Sequence, residues 1–251
     1  MGSVGAKQGG GIPAQPPEEP KQQGLNHDMK SAEVSQYAKD NLGIDIPEKV
    51  VGKIGRHKII NSLQLVEGLL NELPDSVRKD LDVKVGTATA HGNWYASMQA
   101  SSGTMTLYTN HYNENLKKSY EWDVKQGWHP ENTTADSIFT HELGHRLDYL
   151  FTEKKFGASS LYAKWDYADQ TTAKQLVQDA IKEVKNKYSY LNKGNMGFHM
   201  STISGYAASK KNGKYQYHET IAEAVADYSQ NKENAKPLSK EIWKRLKKGL
   251  S

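Results

Sequence analysis

The feature that most limits what this chain can fold into is a pair of histidines four residues apart, in the run His141-Glu142-Leu143-Gly144-His145. On an α-helix, residues i and i+4 share a face, so both imidazoles can present a nitrogen to one metal ion. Glu142, next door, then points toward a metal-activated water as a general base. The flanking residues call for a helix. Asn132-Thr133-Thr134-Ala135-Asp136 supplies N-cap side chains, and Phe139, Leu143, Leu147 and Leu150 recur at spacings of four, four and three, forming one apolar stripe. His141, His145 and Asp148 fall on a different stripe, so the polar groups converge on one spot.

Two histidines do not complete a catalytic zinc site, which takes three protein ligands and keeps a fourth position open. The metzincin arrangement is excluded, because Asp148 and Phe151 stand where it needs Gly and His. The better source is a second helical pattern, residues 219–228. Its Ile221, Ala222, Val225 and Ala226 suit close packing on the first helix, while Glu219, Glu223 and Asp227 line one face. Glu219 is the preferred third ligand. His218, His199, His129 and His111 are rivals, none with a partner at helical spacing. Glu223 or Asp148 could accept the free ring N–H of a ligand histidine and fix its tautomer. The chain has no Cys, which leaves only His and carboxylate as ligands and excludes disulfides and thiolate catalysis.

His141-Glu142-Leu143-Gly144-His145-Arg146-Leu147-Asp148, then Ile203-Ser204-Gly205-Tyr206-Ala207, then Glu219-Thr220-Ile221-Ala222-Glu223-Ala224 resembles the catalytic domain of anthrax lethal factor-like metallopeptidases. It is similar, too, to zincin domains that bacteriophages encode beside or within minor capsid (head morphogenesis) proteins. The match covers roughly residues 134–230. The resemblance implies a zincin-like peptidase with Zn2+ held by His141, His145 and Glu219. In that scheme Glu142 is the general base, Glu223 a supporting acid and Tyr206 the phenol that stabilises the oxyanion. It implies a protein or peptide substrate and an association with phage structural proteins. Between Tyr206 and Glu219 the chain carries a longer polar stretch than the family pattern, Ser209-Lys210-Lys211-Asn212-Gly213-Lys214, whose Asn-Gly step predicts a hairpin turn. That insertion leaves Tyr215 and Tyr217 as alternatives to Tyr206.

Elsewhere the chain reads as α+β. Residues 1–25 are rich in Gly, Pro and Gln and read as a flexible tail; 26–251 read as one domain. Helical patterns run over 28–42, ending at Gly43, over 48–72 before Pro74, and over 170–188. From Leu81 the period changes to two. Val83 and Val85, then Trp94, Ala96 and Met98, then Met105 and Leu107 predict a small, mostly antiparallel sheet. By the zincin analogy, 103–110 is the edge strand that would align a peptide by backbone pairing. Residues 111–133 read as a loop or broken helix, and 191–202 as a loop over the site.

The net charge of +4 is local: six Lys or Arg less one Glu in 236–251 give +5, leaving −1 for the rest. That segment, with Leu238, Ile242, Trp243 and Leu246 on one side, predicts a terminal helix over 237–248 packed on the domain. Weak contact of its basic side with nucleic acid is the alternative; nothing else in the chain supports such binding. No run is apolar enough for a membrane span, and the N-terminus carries no secretory signal, so a cytoplasmic protein, virion-associated by the resemblance, is expected. Competing readings are a non-catalytic, zinc-stabilised structural protein of a phage particle and an effector-type protease acting on a host protein.

Overall fold

The computed structural model describes residues 24–251 apart from His91 and Ser159, so most of the predicted tail lies outside the described residues. Leu25 is already part of the core, and Gln64 holds its carbonyl from 3.0 Å. The first helix, α1 (Ser31–Leu42), stops at Gly43 as the sequence predicts. The apolar run that follows is two helices, α2 (Glu48–Ile54) and α3 (Arg56–Leu70), where one was expected. Gly55 takes φ 106°, outside the helical range, and breaks the run without losing its buried side. A short α4 (Asp75–Leu81) follows Pro74.

The sheet differs from expectation in its pairing. Its strands are β1 (Ile44–Asp45), β2 (Val83–Ala88), β3 (Ala96–Gln99) and β4 (Thr104–Tyr108), in the order β1-β2-β4-β3. β1 with β2 and β2 with β4 are parallel; only β3 with β4 is antiparallel, so the sheet is mixed and not mostly antiparallel. Alternating hydrophobicity identifies strands but does not choose their partners. A second correction follows. β4 is paired on both sides, so 103–110 has no free backbone edge to offer a peptide, and the edge on that side is β3.

Beyond the sheet come α5 (Leu116–Lys125), α6 (Ile138–Phe156), α7 (Leu161–Asp169), α8 (Thr171–Lys187) and a short α9 (Met196–Ser201) within the stretch predicted as a loop. The Asn212-Gly213 step turns a small hairpin between β5 (Lys210–Lys211) and β6 (Lys214–Tyr215), with φ 52° and 76° at its two central residues. Two further helices, α10 (Tyr217–Asn231) and α11 (Pro237–Leu250), close the chain. α11 buries Leu238, Ile242, Trp243, Leu246 and Leu250 against α8, α10 and α6, so packing accounts for this basic helix. One hydrophobic core runs from Leu25 to Leu250, with α6 through its middle. No described helix is long and apolar enough to cross a membrane.

Candidate metal centre

α6 and α10 pack on each other more extensively than any other pair of elements. Gly144 permits it: a Cβ there would lie 2.8 Å from Ala222 Cα and 3.2 Å from Val225 Cβ, so a larger residue would force the helices apart. Thr140 and Ser229 share a hydrogen bond of 2.9 Å between their hydroxyls across the same crossing. Arg146 fixes α6 from the other side. Its buried guanidinium donates to the carbonyls of Leu81 (2.8 Å), Ala100 (2.9 Å) and Asp80 (2.9 Å), tying the helix to the end of α4 and the turn after β3.

This crossing brings His141, His145 and Glu219 together, with one ligand atom from each within 4.8 Å of the others, and such a group could hold a metal ion. Nε2 of each histidine lies 3.4 Å from the same atom, Glu219 Oε2. That oxygen is buried and has no aligned hydrogen bond. Three donor atoms face one another without satisfying one another, and a cation between them would satisfy all three, so the residues fit a metal. Burial by itself raises the Glu219 carboxyl, but the imidazoles of His145 and His141 outweigh it and hold the acid well below the usual carboxylate range. Burial likewise pulls His141 down, and the carboxylates of Glu219 and Glu223 outweigh it, raising His141 well above its ordinary value. Glu142 is buried beside the group at 6% exposure, and burial raises its carboxyl.

Glu223 lies one turn behind Glu219 and is almost fully enclosed. Its Oε1 approaches His141 Nδ1 to 2.9 Å, an ion-pair contact without hydrogen-bond alignment, and His129 Nδ1 to 3.2 Å. Its Oε2 accepts from Ser204 Oγ at 2.8 Å. Burial pushes this acid up, yet His129 and His141 bring it down to about 2.

Asp148, the other acid offered for supporting a ligand, does not reach one. Its carboxylate takes His218 Nδ1, while His218 Nε2 faces the Tyr167 carbonyl at 2.7 Å and the two rings stack at 3.9 Å. His218 is thereby withdrawn from the rival ligands. His111 is spent on the Gly92 carbonyl at 2.7 Å, and His199 is buried on α9. His129 supports Glu223.

Of Tyr206, Tyr215 and Tyr217, it is Tyr206 that lies beside the centre. Its ring lies over His141 with centroids 5.9 Å apart and planes 27° apart. Burial, then the charges of Glu219 and Glu223, push its phenol upward, so it stays protonated and able to donate. Its backbone is held by a short pairing, Gly205 N–H to the Gly127 carbonyl (2.6 Å) and Tyr206 N–H to the Trp128 carbonyl (3.2 Å). Tyr217 instead donates to Met196 Sδ at 3.1 Å, and the Tyr215 hydroxyl packs against Gly197, so both turn toward α9. Two contributors escape the sequence reading, the His129 support and the Ser204 hydroxyl. Their partner Glu223 lies 94 and 19 residues away, and no local periodicity announces such contacts. In comparisons with known proteins, no family model, no curated protein and no solved structure matches this chain.

Proposed function

We propose that this protein is a zinc-dependent peptidase. The observation that carries the reading is the convergence of His141, His145 and Glu219 on one point, with the buried Glu142 on the same helix and Tyr206 stacked over a ligand. Zinc bound there would lower the pKa of a water molecule toward neutrality and polarise a substrate carbonyl. His141 and His145 offer Nε2 to the ion, and Glu223 holds the far side of the His141 ring. Glu142 would take the water's proton on its carboxylate and return it to the leaving amine; burial raises its pKa, which makes the carboxylate a stronger base than a solvated one. Tyr206 keeps its phenolic proton and donates it as a hydrogen bond to the oxygen on which charge develops. β3 forms an edge of the sheet and packs against α6, which supports an extended peptide pairing with its backbone beside the centre.

The test is Glu142→Gln. The variant should keep zinc and lose hydrolysis by about 100-fold or more, the range of a general base. Wild type and variant would be incubated with casein, phage particle proteins and host lysate, and fragments compared. Glu142-dependent cleavage of particle proteins supports the capsid-associated role that the resemblance implies; cleavage confined to lysate supports an effector. No Glu142-dependent fragment in any mixture sinks the peptidase reading and leaves a zinc-stabilised structural protein.

A further inference from the structure

We propose that His129 is a positioning residue of the metal centre, acting through Glu223 to fix the orientation of His141; the proposal rests on the metal-centre reading above. The contacts form a chain: His129 Nδ1 to Glu223 Oε1 at 3.2 Å, and the same oxygen to His141 Nδ1 at 2.9 Å. Glu223 is nearly sealed from solvent at 1% exposure, so its carboxylate depends on protein donors, and Ser204 and His129 supply one to each oxygen. Without the His129 contact, Oε1 would have only the misaligned His141 nitrogen.

The His129 ring is itself held. It stacks on Tyr120 with centroids 4.7 Å apart and planes 6° apart, and meets Tyr206 edge-on at 6.2 Å. Tyr120 is in turn pinned through its hydroxyl to Ser137 (2.9 Å) and Thr133 (3.2 Å), at the entrance to α6. The segment 127–129 therefore serves two parts of the centre at once. Its side chain at 129 orders Glu223, and its carbonyls at 127 and 128 hold Gly205 and Tyr206. One loop positions a ligand's supporter and the stacked phenol together.

Zinc affinity, measured at equilibrium by competition with a chromogenic chelator, tests this without reference to turnover. Asn places its amide nitrogen where His carries Nδ1, so His129→Asn keeps a donor to Glu223 and loses the stack on Tyr120. Phe keeps the stack and loses the donor, and Gln moves the amide to the Nε2 position. The expected result is an affinity within about threefold of wild type for His129→Asn, and about tenfold weaker for His129→Phe and His129→Gln, the lower range for groups that support a ligand. If His129→Phe fails to fold, as judged by circular dichroism, His129→Gln decides. The opposite order, Phe near wild type and Asn weakened, would show a packing role and overturn the proposal. So would equal affinities throughout. A wild-type chain that binds no zinc overturns the metal-centre reading, and this role with it.

Discussion

Glu72 and Glu219 are exposed to nearly the same degree, 25% and 22% of their side chains, yet their oxygens meet opposite surroundings. Glu72, after α3, is surrounded by donors. Its Oε2 accepts from Trp243 Nε1 (2.9 Å), Tyr228 hydroxyl (3.1 Å) and Lys247 Nζ (3.3 Å), and its Oε1 from Lys232 Nζ (3.1 Å), which joins α3, α10 and α11. Glu219 faces two imidazole nitrogens that, when neutral and offered to a metal, are acceptors like itself. The fold gives the first acid four donors and leaves the second's buried Oε2 without an aligned hydrogen bond. A carboxylate the protein completes belongs to the scaffold, whereas one it leaves incomplete among other acceptors marks a ligand site.

Exchanging the two effects is the sharpest way to break this contrast. Glu219→Ala should weaken zinc binding by more than the roughly 100-fold ceiling for supporting residues, with an unchanged circular dichroism spectrum. Glu72→Ala should do the reverse, leaving zinc affinity within about twofold and costing about 2 kcal/mol, or roughly 4–8 °C in Tm. If zinc binding fell equally in both, the division between scaffold and site would be wrong. Gly144→Ala probes what joins the regions. The helix-propensity gain of about 1 kcal/mol is opposed by a methyl 2.8 Å from the backbone of α10, so a net loss of about 1 kcal/mol is expected in a thermal melt. An increase in Tm would show that the close approach of the helices is not tight.

The smallest effect is one of pH. Burial pushes the Glu72 carboxyl up, but its donors, Trp243 and Lys232 foremost, outweigh it and hold it below its ordinary value. A folded value below the unfolded one stabilises above the unfolded pKa of about 4.3, and the contribution is lost as pH falls through the folded value. The Tm difference between wild type and Glu72→Gln should therefore hold from pH 7 to about 5 and shrink in more acid solution. A difference that grows there would contradict the donor assignment.

The centre was more legible than the sheet because its geometry is local. An i, i+4 pair on a helix fixes where two imidazoles go, and Glu219 and Glu223 repeat the device on α10. Gly144 and Ala222 in the two motifs mark the close crossing that joins those helices. The order of β2, β4 and β3 depends on crossovers that no window of alternation contains, and β1 is two residues long. Asp148 shows the limit within the site. Its position on the helix put it beside the ligands, but its partner, His218, lies 70 residues on. His129, read as a rival ligand, supports Glu223 across 94 residues, a contact hidden for the same reason.

The most direct test is the zinc content of the purified wild-type chain, reconstituted with zinc, passed through a desalting column and measured by elemental analysis beside Glu219→Ala. About one zinc per wild-type chain is expected, and almost none in the variant. Substoichiometric zinc in the wild type, or equal zinc in the two proteins, would contradict the metal-centre reading.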